Sequence, residues 1–119
     1  MEKIRLVYPD SITVKTAIEG NTYIPPMIFF PFVENGIKHS NLNKKDHKLS
    51  ISISDHNGLI KFECINNLME QSQKTNYTGV GLELARKRLE LLFPDRHELL
   101  IQQKDNEFIV KLQINTIGW

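Results

Sequence analysis

The feature that most constrains the fold is a pair of alternating segments joined by a two-residue turn. Apolar residues recur with a period of two on both sides of this turn, at Leu49, Ile51 and Ile53 before it and at Ile60, Phe62 and Cys64 after it. The segment His56-Asn57-Gly58 between them is typical of a hairpin, because Asn and Gly tolerate the left-handed backbone of tight turns. The sequence therefore predicts two neighbouring antiparallel strands, the second over residues 59–65.

The rest of the chain mixes strand and helix patterns. The predicted elements are a strand over 11–18 with Ile12, Val14 and Ile18 on one face, a helix over 27–40, a helix over 82–93, a strand at Leu99 and Ile101, and a strand from Phe108 to Ile114. Pro31 predicts a kink or a late start in the first helix, and Asp105-Asn106 predicts a turn between the last two strands. This order predicts an α+β fold, a two-layer α/β sandwich with one mixed, mostly antiparallel sheet and helices on one face.

Composition narrows the function classes. The 119 residues suit one domain, and 40% hydrophobic residues suffice for a packed core. A formal net charge of +1 argues against a dedicated nucleic-acid binder. The single cysteine, Cys64, excludes an internal disulfide and a multi-cysteine zinc site. No apolar run approaches the ~18 residues of a membrane span.

The first candidate site is the polar face of the helix over 27–40. Asn35 offers an oxygen for a hard cation such as magnesium, Lys38 a compact charge for phosphate, and Glu34 a carboxylate that could orient a nucleophile. The alternative is a solvated helix face on which Glu34 and Lys38 form an i,i+4 pair. Spacing alone favours the solvated face.

Two further candidates lie on either side of a long polar stretch, residues 66–78. Asn66-Asn67 follows a predicted strand, where amides could hydrogen-bond the edge of a base; the alternative is a simple turn. Gly79-Val80-Gly81 precedes a helix, where glycines and free N–H groups attract phosphate; the alternative is a loop that ends in glycines. The stretch between them has the length of a functional lid. The four histidines show no metal-ligand spacing, and we interpret His39, His47, His56 and His97 as surface or loop residues.

These three signals occur in an order that resembles the ATP-binding domain of sensor histidine kinases, in the superfamily of gyrase, heat-shock chaperones of the ninety-kilodalton class and mismatch-repair ATPases. Residues 24–27 (IPPM) and 31–39 (PFVENGIKH) are similar to the "IPP…P-[LF]-VENAIKHG" segment of autolysin-regulator-type kinases. Residues 79–93 (GVGLELARKRLELLF) are similar to that branch's "GIGLxNVRxRLxLLY". The resemblance covers residues 8–114 and implies a Bergerat-type sandwich.

The resemblance also implies roles for individual residues. Asn35 takes the place of the magnesium-binding asparagine, and Glu34 that of the acidic residue before it. Lys38 and His39 are expected near the phosphates of ATP, and Gly79 and Gly81 at the junction of lid and helix. Asn66 stands where the family usually has an aspartate that accepts a hydrogen bond from the adenine amino group.

This chain departs from the family wording at three positions. Asn66-Asn67-Leu68 replaces the usual Asp-x-Gly or Asp-Asn-Gly, so the adenine acceptor is uncharged and the glycine is absent. Leu84 occupies a position that is usually asparagine. From the sequence alone we expect Asn66→Asp to tighten ATP binding, because a charged acceptor makes the stronger hydrogen bond.

The expected function is that of the catalytic domain of a two-component histidine kinase, with ATP and Mg²⁺ as cofactors. The γ-phosphoryl would go to a histidine on an upstream dimerisation domain of the same protein, and then to a response regulator. The chain, residues 1–119, would be one cytoplasmic domain of a homodimeric inner-membrane protein, and residues 1–6 the tail of a preceding helix. Two alternatives stay open: a degenerate, non-catalytic nucleotide-binding or regulatory module, favoured by Asn66 and Leu68, and a serine-phosphorylating regulator of a sigma factor.

Overall fold

The computed structural model describes residues 12–19, 24, 27–39, 48–67 and 80–117. Its elements in chain order are β1 (Ile12–Glu19), α1 (Phe30–His39), β2 (Leu49–His56), β3 (Leu59–Asn67), α2 (Val80–Leu92), β4 (His97–Lys104) and β5 (Glu107–Asn115). Two expected features lie outside the described residues: the tail of a preceding helix at 1–6, and the lid after Asn67 together with Gly79. Neither described helix has the length and apolar character needed to cross a membrane.

The five strands form one sheet in the order β1-β2-β3-β5-β4. β1 runs parallel to β2, whereas β2, β3, β5 and β4 pair antiparallel in turn. The parallel pair requires a crossover, which contains α1. The predicted mixed, mostly antiparallel α+β fold is confirmed.

Both predicted turns have the left-handed geometry that their sequences favour. Asn57 and Gly58 have φ of 53° and 100°, and Asp105 and Asn106 have φ of 53° and 61°. Two successive residues with positive φ are the signature of the tight hairpin turn that matches the twist of the flanking strands. A buried carboxylate oxygen of Asp55 accepts a 2.9 Å hydrogen bond from the backbone N–H of Gly58, which adds a side-chain anchor to the first turn.

The core lies between the sheet and the two helices. Apolar side chains at alternate strand positions face the helices, as period two dictates. The buried core residues are Ile28, Phe32, Leu49, Ile51, Ile60, Phe62, Cys64, Leu82, Ala85, Leu89, Phe93, Phe108, Val110, Leu112 and Ile114. The strand pattern at Ile60, Phe62 and Cys64 is thus confirmed.

Helix α1 packs on β3 through an aromatic cluster and a glycine. The ring of Phe62 stacks on Phe29 at a centroid distance of 4.7 Å and meets Phe32 at 6.1 Å. One turn after Phe32, a Cβ placed on Gly36 would lie 2.9 Å from Leu49 Cδ1 and 3.3 Å from Cys64 Sγ. Gly36 therefore lets the helix backbone approach the sheet more closely than an alanine would.

α1 begins at Phe30, which confirms the late start that Pro31 predicted; the proline lies in the first turn, where a missing N–H breaks no helical bond. Other predicted boundaries were wrong by about two residues. β3 continues to Asn67, and α2 begins at Val80. β3 is longer than predicted because its last residue, Asn67, pairs with Glu107 of β5. Local sequence pattern does not encode a pairing between residues so far apart in the chain.

The edge strand β1 has the predicted alternation, but most of its apolar face is exposed. Ile12 is half-buried, but Val14 and Ile18 are 59% and 65% exposed. The helices do not extend over them, because α1 contacts β2 and β3 and β1 lies beyond these strands. Alternation predicted which side chains share a face, and the lateral position of the helix decided which of them are covered.

The two helical glycines offer a matched test of the close helix–sheet approach. Gly36→Ala gains about 1 kcal/mol of helix propensity, but overpacking of a filled core costs typically about 1–3 kcal/mol, so we expect a net loss near 1 kcal/mol. At Gly81 an added Cβ meets nothing within 4 Å, so Gly81→Ala is expected to be neutral or stabilising. Urea denaturation of both variants without nucleotide measures the difference. Equal stabilisation by both substitutions would contradict the close approach at Gly36.

Candidate functional site

The outer face of α1 carries the first group of predicted site residues. Glu34 and Lys38 are exposed and form an i,i+4 ion pair with Nζ to Oε1 at 3.8 Å. Exposed pairs of this kind contribute little to stability, so the ammonium group of Lys38 can exchange its partner at small cost. His39 is the last residue of α1, and its side chain lies outside the described part of the structure. The ion pair weighed as the simpler alternative is present, and it is compatible with a phosphate-facing lysine.

Asn35 differs from its neighbours on this face because its amide is partly enclosed. The side chain is half-buried, and its Nδ2 is buried without a hydrogen-bond partner among the described residues. A buried amide donor without a partner is rare in folded proteins and is usually satisfied by water or a ligand. Asn35 is therefore not simply part of a solvated face, which was the alternative interpretation of this helix.

Asn66 lies under α1, at the end of the row of buried side chains on β3. It is 1% exposed. Its Nδ2 donates a 2.9 Å hydrogen bond to the main-chain oxygen of Asn67, whereas its Oδ1 is buried and has no partner among the described residues. The turn that we weighed for Asn66 is wrong, because the residue is inside β3 and not after it.

Gly36 follows Asn35 in the helix and faces Asn66 on the strand. A Cβ on Gly36 would lie 3.5 Å from Asn66 Oδ1, so the free acceptor faces the backbone of α1 at the residue that follows Asn35. The structure thus brings an unpartnered donor on the helix and an unpartnered acceptor on the strand to one region. The sequence analysis did not single out Gly36, although a glycine inside a predicted helix is a recognised sign of close packing.

Asn67 is a second residue whose role the sequence analysis missed. Its backbone N–H donates to the Lys48 carbonyl at 3.2 Å, and its Oδ1 accepts from the Lys48 N–H at 2.6 Å. This double contact joins the start of β2 to the end of β3. Pairing between residues 19 positions apart leaves no signal in local sequence, so only the fold could reveal it.

The glycine segment is described only in part. Gly81 is exposed and lies in the first turn of α2, where backbone N–H groups have no helical acceptor. Glu83 in the same turn forms a 4.0 Å contact with Arg86, both side chains being well exposed. The predicted phosphate contact of Gly81 therefore involves a residue inside the helix rather than one before it.

Two of the histidines lie at strand ends. His56 is the last residue of β2 and is exposed, which confirms that it is a surface residue, whereas His97 is the first residue of β4 and is half-buried. Nδ1 of His97 lies 2.8 Å from the Phe93 carbonyl oxygen, so this ring nitrogen carries the proton. His47 lies outside the described residues. Within the described ranges, no group of three or more His, Cys, Asp or Glu side chains could hold a metal ion.

A shallow concavity of about 650 Å³ lies on the other face of the sheet. Its lining includes Lys61, Glu63 and Lys111, and Glu63 pairs in register with Lys111 across β3 and β5. Period two places these side chains opposite the helix layer, away from Asn66. The concavity follows from the twist of an uncovered sheet and is not connected with the asparagine pair.

Comparison with known proteins supports this architecture through structure alone. No family model matches the sequence, and no curated protein matches it. The fold of the described residues is that of the catalytic domains of histidine kinases.

Three solved structures illustrate this likeness. The catalytic domain of histidine kinase ThkA aligns with a TM-score of 0.59 at 15% identity over 89% of this chain and 80% of that one. A histidine kinase domain from a blue-light activated kinase of Erythrobacter litoralis aligns with a TM-score of 0.64 at 14% identity, covering 91% of this chain and 56% of that one. Acinetobacter baumannii histidine kinase AdeS aligns with a TM-score of 0.60 at 14% identity, covering 89% of this chain and 55% of that one. At such identities the likeness establishes the fold.

Cys64 provides a chemical test of the close packing around the asparagine pair. Burial raises the pKa of its thiol from 9.0 to about 12, because the thiolate is poorly solvated there. The thiolate is the nucleophile, so iodoacetamide at pH 8 should alkylate the native chain far more slowly than the urea-unfolded chain. Because the thiol pKa is higher in the folded chain than in the unfolded one, the favourable free energy of burying the neutral thiol is fully present below pH 9. It decreases as pH rises towards 12. Rapid native-state alkylation, followed by mass spectrometry, would contradict the burial.

Proposed function

We propose that this chain is the ATP-binding catalytic domain of a histidine kinase. The observation that carries the proposal is the buried, unpartnered oxygen of Asn66 beneath Gly36, in a sheet and helix layer with the fold of such domains. A buried acceptor without a donor is unfavourable in the empty protein by about 1–3 kcal/mol, so a ligand that supplies an N–H recovers this free energy. The amino group of adenine is such a donor.

The residues of α1 fit the other end of the nucleotide. Asn35 supplies the kind of oxygen that Mg²⁺ accepts, and its amide nitrogen has no partner among the described residues. When bound, Mg²⁺ would reduce the negative charge of the triphosphate. Lys38, held only by an exposed ion pair, would contact a phosphate, and His39 follows it at the end of the helix. Gly79 and Gly81 would bring backbone N–H groups close to the same phosphates.

Phosphoryl transfer in such a site depends on positioning and charge more than on covalent chemistry by the protein. An imidazole nitrogen of the acceptor histidine would form the new N–P bond while the bond from the γ-phosphorus to the bridging oxygen of ADP breaks. Glu34 is exposed beside Asn35 and would orient that imidazole or take the proton from its other nitrogen. The exposure of Glu34 suits an acceptor that arrives from outside the domain.

The proposed partners follow from this chemistry. The acceptor histidine would belong to a helical dimerisation domain upstream in the same protein, which would be a homodimer in the inner membrane with this domain in the cytoplasm. A response regulator would receive the phosphoryl group next. The structure of histidine kinase ThkA in complex with the response regulator protein TrrA supports such a partner; 88% of this chain aligns with 34% of that kinase chain, with a TM-score of 0.58.

One observation favours a second function, that of a non-catalytic module in which nucleotide only stabilises a regulatory shape. The adenine acceptor is an uncharged amide whose nitrogen is already bonded to the backbone. A neutral acceptor binds an amino group less strongly than a carboxylate does. Weak binding without phosphoryl transfer would be the result of this alternative.

The magnesium role of Asn35 can be separated from a structural one. Asn35→Ala removes the oxygen ligand, so we expect calorimetric affinity for ATP with Mg²⁺ to fall by about tenfold or more. Affinity for ATP measured in EDTA should change little. Gln113→Ala, on the uncovered face of β5, is the control and should alter neither value. Absence of any heat from the wild-type chain with millimolar ATP and Mg²⁺ would reject the proposed function.

We also expect that the 119-residue chain does not phosphorylate itself. An acceptor imidazole must lie in line with the γ-phosphate, and His39 shares a rigid helix with Asn35, while His56 and His97 are at strand ends. Incubation with labelled ATP should give no acid-labile phosphoprotein. Addition of the upstream histidine-bearing helices should produce it, and Asn35→Ala should abolish it again. Labelling of a histidine in the isolated chain would contradict this mechanism, and a full-length protein that binds ATP yet stays unlabelled would favour the non-catalytic module.

A further inference from the structure

We propose that Asn67 is a positioning residue that fixes the Asn66 amide in one orientation, so that the pocket accepts only bases that present an amino group there. The inference rests on the nucleotide binding proposed above. It concerns a feature in which this chain differs from a site built on aspartate, because an amide has a donor end and an acceptor end and its orientation decides which one a ligand meets.

The hydrogen-bond network determines the orientation of Asn66. Its nitrogen donates to the Asn67 carbonyl at 2.9 Å, and its oxygen faces Gly36. Rotation of the amide by half a turn would place its oxygen against the Asn67 carbonyl, so that two acceptors would meet in a buried site with no proton between them. The reversed amide is therefore disfavoured, and the free atom is the oxygen.

Asn67 can fix this amide because its own backbone is held on two sides. It exchanges two hydrogen bonds with Lys48, one through its backbone N–H at 3.2 Å and one through its side-chain oxygen at 2.6 Å. On the other side it is in register with Glu107 of β5. The carbonyl that receives the Asn66 nitrogen thus belongs to a residue that is hydrogen-bonded to Lys48 on one side and in register with Glu107 of β5 on the other.

A base is then distinguished by the group on its six-membered ring. Adenine carries an amino group at C6 and can donate to the Asn66 oxygen. Hypoxanthine and guanine carry a carbonyl at C6, which would meet Asn66 as a second acceptor. A site that leaves a buried polar group unpaired rejects the wrong ligand, so we expect ITP to bind at least about tenfold more weakly than ATP.

The same geometry changes what we expect of Asn66→Asp. The sequence predicted tighter ATP binding, whereas the hydrogen bond to the Asn67 carbonyl predicts that the substitution destabilises the nucleotide-free chain at neutral pH. A carboxylate there would place two acceptors together, one of them charged and almost completely buried, whereas a protonated Asp could still donate to the Asn67 carbonyl. Burial and the facing carbonyl would raise the pKa of this carboxyl in the folded chain. Because that folded pKa is above the unfolded one, stability is retained at low pH and lost as pH rises through the folded pKa.

The surroundings of Asn66 hold few other titrating groups. Its register partners are Leu49 and Phe108, both buried and apolar. The nearby Cys64 thiol has a pKa of about 12 and stays neutral below pH 9. Of the charged groups that the structure describes on the packed elements, Lys48 precedes β2, Glu107 of β5 pairs with Asn67, and Glu34 and Lys38 are on the outer face of α1. The others on the three strands lie elsewhere along them: Asp55, His56, Lys61, Glu63 and Lys111.

The first experiment measures the melting temperature of the nucleotide-free chain between pH 5 and pH 8. Relative to wild type, Asn66→Asp should lose about 4 °C or more across this range, as expected for a buried carboxylate in a domain of this size. The control is Asn57→Asp, the same chemical change at an exposed turn where Asp is tolerated; its profile should parallel wild type. If the melting temperature of Asn66→Asp follows that of wild type across this pH range, the proposed fixed orientation of the Asn66 amide is wrong.

The second experiment compares ATP and ITP, each with Mg²⁺, by calorimetric titration at pH 7.5. Asn67→Ala removes the side-chain bond to Lys48 and should reduce the preference for ATP over ITP by about threefold, because the amide orientation is less restrained. Asn67→Asp keeps an oxygen for the Lys48 N–H and should keep the preference. A wild type that binds ATP and ITP equally would overturn base selection by the fixed amide. A wild type that binds neither nucleotide would overturn both the base selection and the proposed function. The melting temperatures of the first experiment would still test whether the Asn66 amide has a fixed orientation.

Discussion

The close approach of α1 to β3 at Gly36 is the constraint on which the rest of the site depends. A helix that carried a side chain at this position would have to displace Leu49, which is fully buried, or move away from the sheet. The aromatic contacts between Phe62 and the rings of Phe29 and Phe32 hold the same helix one turn earlier. Together these contacts determine the height and the rotation of α1 above β3, and hence the position of every polar group on it.

This packing explains why the site contains polar atoms without partners. Apolar packing covers Asn66 almost completely, yet the backbone of α1 at Gly36 has no side chain that could bond its oxygen. One end of the Asn35 amide, on the same helix, is also buried and without a partner in the described residues. Folded proteins seldom leave such groups unpaired, because each one costs about 1–3 kcal/mol, and such groups are concentrated where a ligand or an ordered water completes the network. The unfavourable free energy of these two unpaired amide groups supports the proposed ligand site at this helix–sheet contact.

The edges of the structure show where this packing stops. Val14 and Ile18 share the helix-facing side of the sheet with the core, but β1 lies beyond the reach of α1. On α2, Leu84 and Leu91 point away from the core and are 57% and 82% exposed. Leu84 and Leu91 lie opposite the apolar face of α2, as its period predicts. Val14 and Ile18 obey the period of their strand without being buried, so periodicity is a weaker guide to burial at the margin of a small domain than at its centre.

The sequence by itself determined the elements, their alternation, both hairpin turns and the fold class, because these depend on local backbone preferences and on periods of two and 3.6. It also identified Asn35, Lys38 and Asn66 as candidates through their order along the chain. Only the tertiary structure decided that Asn66 is inside β3 and under α1, that its nitrogen is bonded and its oxygen free, and that Asn67 joins β3 to Lys48. The physical reason is that these properties arise from contacts between residues far apart in sequence, and the orientation of an amide depends on which of those neighbours donate and which accept.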